Sequence, residues 1–199
     1  TSLNADGVYD DNNTLLYGVY AWRDISERLE LQKKANHYLN QQVAANQLAQ
    51  SLGETNDLDQ IYRIIFSHIK KLMDVDNFSV SFFDAEDQHI RAGYVIADGN
   101  IVDTEALPPL KLKPKGKGLQ SEVIHTGEFL YIDDYQEALR KTEIDYIIEK
   151  DGTIKLGANY GDPVVQSSLL APMKSRGKTV GIMQAQSYQP GEYYSFYIY

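Results

Sequence analysis

The chain has 199 residues, 43% hydrophobic and 24% charged, with a formal net charge of −9. This is the composition of a soluble globular protein, and its acidity disfavours both nucleic-acid binding and docking on anionic lipid, each of which needs a basic surface. Cysteine is absent, which removes disulfides, thiol nucleophiles, iron–sulfur ligation and Cys-based zinc sites and suits a reducing, cytoplasmic setting. No apolar run approaches the roughly 20 residues of a membrane helix. The expectation is a cytoplasmic protein with no nucleic-acid partner and no membrane contact.

Residues 1–23 read as a hairpin, two β-rich runs around Asp10-Asp11-Asn12-Asn13. An isolated two-stranded hairpin is marginal in water, so further strands are expected to belong with it. Asp24 then opens a helix, with Glu27 completing a D-x-x-E capping box, and no Pro or Gly interrupts the chain before Leu52. Leu31, Ala35, Leu39, Val43, Leu48 and Leu52 form a narrow apolar stripe. Such a stripe fits a coiled-coil seam or a helix packed along its own domain, and both readings stay open.

Gly53 breaks this helix, and Asn56 or Asp57 caps the next. Leu58, Ile61, Ile65, Ile69 and Leu72, widened by Phe66 and Met73, give it a broad core-facing side. From Phe78 the period changes to two: FSVSFFD and HIRAGYVI are strands, with a turn at IADGNIV. PPLKLKPKGKG is a loop, GLQSEVIHTG a short helix ended by Gly127, and FLYIDD a strand. Residues 136–150 are expected to be helical and DGTIKLGANYGDP irregular. SSLLAPMKSRGKTVGIMQAQSY closes as a hairpin, with Gly177 in its turn and Gly181 admitting a close backbone neighbour. This order favours an antiparallel α+β domain over a parallel one.

Two resemblances rest on these segments. RDISERLE resembles the D-I-T/S-E-R-K end of a PAS domain, where the last strand hands over to a signalling helix. KGKGLQSEVIHTGEFLYIDD and SSLLAPMKSRGKTVGIMQAQS resemble the core motifs of a GAF domain. The resemblances imply a PAS remnant over 1–23, a signalling helix over 24–54 and a GAF-like sensor domain over 55–199. They also imply an antiparallel sheet flanked by helices and a pocket covered by residues 94–118 and 136–163. Tyr94, Tyr146 and Tyr160 are the expected pocket walls, Ser168 lies on the strand beneath, and Asp133 completes the expected ligand-binding set. YYSFYIY runs out where the family usually places a final helix.

Other patterns carry less. Lys111, Lys113, Lys115 and Lys117 stand beside a helix start, where backbone amides and lysines can hold an anion, although a solvated loop explains them as well. RGKT at Arg176 lacks the first glycine of a P-loop, because Pro172 stands there, and it lies between strands. EAL occurs at 105–107 and 137–139 without the domain of a cyclic-di-GMP phosphodiesterase around it. Asp133 and Asp134 could hold a metal or act as acid and base, but no second acidic cluster completes either role. His125 is the one histidine near the expected pocket, and it reads more simply as a surface helix residue.

No catalytic constellation is visible. A Cys-linked bilin is impossible, and neither haem nor a cyclic nucleotide is supported, so any cofactor is unknown. The expectation is a non-catalytic sensory module that binds an unidentified small molecule and signals through a homodimeric N-terminal helix. The expected parent is a sensor histidine kinase. A diguanylate cyclase or phosphodiesterase parent, or a ligand-free dimerisation module, are the alternatives.

Overall fold

The structure is a computed structural model that describes residues 2–53, 55–143, 145–148, 153–156 and 165–190. It divides into two units, residues 1–54 and 55–199, which are taken separately.

In the first unit, β1 (Ser2–Tyr9) and β2 (Leu15–Arg23) pair antiparallel from Ser2 opposite Arg23 to Tyr9 opposite Leu15. The Asp10 carboxylate accepts from the amides of Asn12 and Thr14, at 2.9 and 2.8 Å, and Asn13 takes the left-handed conformation that closes the turn. Tyr9, Leu15, Leu16, Tyr17 and Tyr20 are all exposed. Helix α1 (Ser26–Gly53) begins where the Asp24 carboxylate accepts from the Ser26 amide at 2.9 Å, a bond that lowers the Asp24 pKa. It buries none of its residues, and Leu29, Leu31, Leu39 and Val43 stand exposed.

The second unit opens with α2 (Leu58–Leu72), capped by Asp57, whose carboxylate accepts from the amides of Asp59 and Gln60. Its buried side chain is Tyr62, with Ile61, Ile65, Phe66 and Ile69 packed against the same cluster. Leu58 and Leu72, at the ends of the apolar stripe, are exposed. Then follow β3 (Asn77–Asp84), β4 (His89–Ala97), β5 (Asn100–Ile101), β6 (Leu110–Lys111), α3 (Leu119–Thr126), β7 (Leu130–Ile132), α4 (Tyr135–Lys141), β8 (Tyr146–Ile148), β9 (Ile154–Leu156), β10 (Ser167–Ser175) and β11 (Lys178–Ser187).

One seven-stranded antiparallel sheet runs β5-β4-β3-β11-β10-β7, with β6 also paired to β4, and β8 pairs with β9 apart from it. Its tight hairpin turns use paired left-handed residues, Asp98-Gly99 between β4 and β5 and Arg176-Gly177 between β10 and β11. Alternation gives the sheet two unlike faces. Phe78, Val80, Tyr94, Ile96 and Ala185 face the α2 side, where Phe66 stacks on Phe78 with ring centroids 5.7 Å apart. The other face carries Ile90, Leu170 and Ile182 beneath Val123 of α3.

Two expectations need correction. Residues 136–150 are not one helix: α4 stops at Lys141, and Tyr146–Ile148 is a strand. The consecutive apolar residues Tyr146, Ile147 and Ile148 cannot share one helical stripe but suit an extended segment, and Thr142 caps the helix before them. DGTIKLGANYGDP, read as irregular, contains β9, whose Ile154 pairs with Ile148. Residues 191–199, including the unplaced YYSFYIY, lie outside the described residues.

Candidate functional site

Over the β3–β4 half of the second face lies a cavity of about 620 Å³, within the usual range for small-molecule sites. It follows from residue size. Ser79 and Ser81 on β3 and Ala92 and Ala97 on β4 form the floor, where the α2 face of the same strands carries phenylalanine, valine, tyrosine and isoleucine. Gly93 is passed over in the pairing, since Val80 lies opposite Tyr94 and Ser81 opposite Ala92. A Cβ on Gly93 would strike the Phe82 ring at 2.3 Å, so this bulge keeps the small residues on the floor while the ring lies beside it.

The walls are built from both sides. The first turn of α3 contributes Gly118, Leu119, Gln120 and Ser121, and the α4–β8 region contributes Leu139, Thr142, Glu143, Asp145 and Tyr146. Tyr146 and Ile148 pack with Ile154 against Val95, Ala97, Val102 and Leu107, which seats the β8–β9 hairpin beside β4. Lys113 fastens the two sides together. Its ammonium donates to the Glu143 carbonyl at 2.6 Å and pairs with the Asp145 carboxylate at 2.7 Å. The Glu143 amide donates to the Lys117 carbonyl at 3.0 Å. The Lys113 backbone is itself anchored on α3, its amide donating to Ser121 Oγ at 3.0 Å and its carbonyl lying 2.8 Å from His125 Nε2.

Replacing Lys113 with Met keeps the stem and removes the ammonium. The Glu143 amide is then expected to exchange with solvent about tenfold faster or more, because local opening of that wall no longer breaks an ion pair. Amide exchange by mass spectrometry checks this. Unchanged exchange at Glu143, or equal loss of protection in β3 and β11, would show that Lys113 does not hold the wall.

At the floor, polar groups bind one another in series. Gln120 Nε2 donates to Gln184 Oε1, Gln184 Nε2 to Ser168 Oγ, and Ser168 Oγ to the Ala185 carbonyl, each at 3.2 Å. Gln186 Nε2 donates to the Tyr135 hydroxyl at 3.0 Å. Tyr188 closes one end, where burial first, and then the Asp98 carboxylate beside its hydroxyl, push its pKa up to about 12 from the usual 10.0. Below pH 10 the hydroxyl is protonated in both folded and unfolded chains, so its contribution is intact. Between about 10 and 12 the unfolded chain releases a proton that the folded chain keeps, so stability falls as pH rises. Denaturant unfolding at stepped alkaline pH is expected to show this decline, less steep in Tyr188→Phe. Burial also raises Tyr62, Tyr94 and Tyr146, so part of the slope remains in that variant.

The expected site residues meet different fates. Tyr146 lines the cavity. Ser168 is fully buried under it, reaching it only through Gln184. Tyr94 is corrected: strand alternation turns it to the α2 face, where its ring lies 5.1 Å from that of Tyr62. Asp133 is corrected as well, because it is exposed after β7 and away from the lining, while its neighbour Asp134 caps α4 by accepting from the Glu137 amide at 2.8 Å. Tyr160 lies outside the described residues. The sequence reading missed Gln184 and Gln120, although the polar Gln184 and Gln186 alternating with Met183 and Ala185 signalled a polar patch on an interior strand. Of the four lysines in the loop, Lys111 and Lys113 line the cavity and Lys115 and Lys117 are exposed. Among the described residues no group of three or more acidic or histidine side chains could hold a metal ion, and no helix is long and apolar enough to cross a membrane.

The GAF domain model matches residues 55–195. The chain belongs to the GAF domain family. GAF domains are regulatory and sensory modules of signalling proteins, generally without catalytic activity of their own. Solved GAF structures resemble this one at low identity. The GAF domain of a phosphoenolpyruvate-protein phosphotransferase from Coxiella burnetii is 14% identical, with a TM-score of 0.56 over 78% of this chain and 83% of that one. The free methionine-R-sulfoxide reductase of Neisseria meningitidis, in complex with its substrate, is 13% identical, with a TM-score of 0.54 over 79% and 78%. Residues 122 to 287 of a methyl-accepting chemotaxis protein are 15% identical, with a TM-score of 0.50 over 75% and 85%. These likenesses establish the GAF fold. No curated protein matches the chain.

Proposed function

We propose that this chain is a non-catalytic sensory relay, in which the GAF domain takes up a small molecule in the β3–β4 cavity and α1 carries the response. The observation that carries the reading is the cavity itself, about 620 Å³ of space over a floor of serine and alanine, walled by a segment that one ion pair fastens. A domain used for packing alone has no reason to place its smallest side chains together over one half-sheet. The reduction of a sulfoxide, the chemistry named for one similar structure, needs two electrons. No cysteine in this chain can supply them through a thiol.

The relay half of the reading rests on α1. A helix of 28 residues that buries none of them, yet exposes Leu29, Leu31, Leu39 and Val43, gains its stability from a second helix, and a second copy of this chain supplies one. Residues 1–23 fit the end of a PAS domain, and a sensor histidine kinase is the parent we infer. Ligand binding then shifts a population between two arrangements of the paired helices, which requires different affinities for the two. Sedimentation of the intact chain tests the relay, since a wild-type dimer that Leu39→Asp dissociates is expected. A wild-type monomer, or a dimer indifferent to the substitution, would contradict it. A metabolite screen by thermal shift tests the sensor, with at least one compound expected to raise the melting temperature of the GAF domain.

A further inference from the structure

We infer that the occupant of the GAF cavity is a small organic amine, bound as its ammonium ion at Asp98, with a second hydrogen-bond donor at its far end for Gln120. This inference rests on the sensory reading above and names the ligand class for that same cavity.

The direction of the hydrogen-bond chain in the floor fixes what the cavity presents. Its last link, Ser168 Oγ, donates to the Ala185 carbonyl, so that hydroxyl accepts from Gln184 Nε2. Gln184 Oε1 is then left to accept from Gln120 Nε2, and every proton in the chain points towards the Ala185 carbonyl. The open end is therefore an acceptor. It is Gln120 Oε1, which is buried and has no partner among the described residues, and Gln120 lines the cavity.

Asp98 supplies a second open acceptor. It also lines the cavity, and its Oδ2 is buried without a partner among the described residues. The residue is held in place, because its amide donates to Asn77 Oδ1 at 3.1 Å and the Tyr188 hydroxyl lies beside its carboxylate. No lysine or arginine pairs with Asp98 among the described residues. A buried acceptor without a donor costs stability, and a carboxylate oxygen costs more. An occupant that brings N–H groups and a positive charge is thus favoured.

The sheet register separates the two acceptors. Gln184, to which Gln120 is bonded, lies opposite Ser79, whereas Asp98 is tied to Asn77, two residues earlier on β3. They flank β3 from its two sides and are about 7 Å apart along the strand. Donors at both ends of a short carbon chain would meet both. The charged lining agrees, with Asp98, Glu143 and Asp145 against Lys111 and Lys113, a net acidic set. Lys113 is already balanced by Asp145, and Lys111 is exposed. Tyr146 and Tyr188 add aromatic rings, which favour a cation, and Ala92 and Ala97 leave room for the carbon chain.

The experiment is calorimetric titration of the intact chain with 1,4-diaminobutane and 1,6-diaminohexane, each beside the diol of the same length, which keeps the donors and removes the charge. At least one diamine is expected to bind, with its diol about tenfold weaker or more, because the diol cannot neutralise the buried carboxylate. The monoamine of the same chain length, without the second donor, is expected to bind about fivefold more weakly. Asp98→Asn is expected to weaken the diamine about tenfold or more while the variant melts no lower than wild type. Asp98 and Gly99 form a turn with both residues left-handed, where Asn-Gly is favoured. No binding by either diamine, equal binding of a diol or of the monoamine, or an unaffected Asp98→Asn variant would each overturn the assignment. If an uncharged or anionic compound from the thermal-shift screen binds instead, the sensory reading stands and the amine falls; if neither set binds, both fall.

Discussion

Phe78→Ala is expected to lower the folding stability of the GAF domain by about 3–5 kcal/mol, the range for deleting a buried aromatic ring. Phe78 is 1% exposed and stacks on Phe66, with Val80, Tyr94 and Ile96 beside it in the cluster between the sheet and α2. The loss is large against a typical total of about 5–15 kcal/mol. It arises here because the ring is clamped between a helix and a sheet that cannot both move inward. Denaturant midpoints of wild type and variant, with the slope unchanged, measure it directly. A cost below about 1 kcal/mol would mean that α2 does not pack on this face.

The second large effect concerns binding. Ala92→Phe places a ring on the cavity floor. In a well-packed interior such an enlargement costs about 1–3 kcal/mol through forced rotamers and backbone shifts. Over an open cavity it should change stability by no more than about 0.5 kcal/mol, while reducing the affinity for any occupant by about a hundredfold or more by occupying its volume. The two readouts separate cleanly. Marked destabilisation would show that side chains already fill this space, and unaltered binding would place the ligand elsewhere.

Much of this fold is legible in the chain because local signals agree with the tertiary answer. The two-residue alternation of FSVSFFD and HIRAGYVI marks strands with unlike faces, and the caps at Asp57 and Gly127 stand where the helices begin and end. Gly181 was expected to admit a close backbone neighbour, and a Cβ there would lie 2.4 Å from the Ser81 carbonyl. The site was less legible, for two physical reasons. Alternation assigns a residue to a face but does not say which face carries the helix, so Tyr94 could be placed on the wrong one. The bulge at Gly93 compounds this, because one skipped residue changes the face of everything beyond it. A cavity also announces itself by small residues, and Ser79, Ser81, Ala92 and Ala97 carry no chemistry that draws attention in a sequence. The 136–150 segment misled for another reason: QEALRK is strongly helical, and the short apolar run Tyr146-Ile147-Ile148 that follows is a weak signal until its pairing with β9 is seen.

The N-terminal unit poses the complementary case. Its hairpin and α1 match the elements expected from the sequence, yet most of the large apolar side chains described there are exposed. Propensity and capping suffice to define such elements, whereas their burial depends on what they pair with.

Whether the GAF cavity holds a small molecule is tested by native mass spectrometry of freshly purified wild type and Ala92→Phe after incubation with a metabolite extract. An added mass is expected on the wild-type chain and not on Ala92→Phe, with both proteins folded to the same extent. A wild-type chain that carries no added mass, or an adduct retained equally by Ala92→Phe, would contradict it.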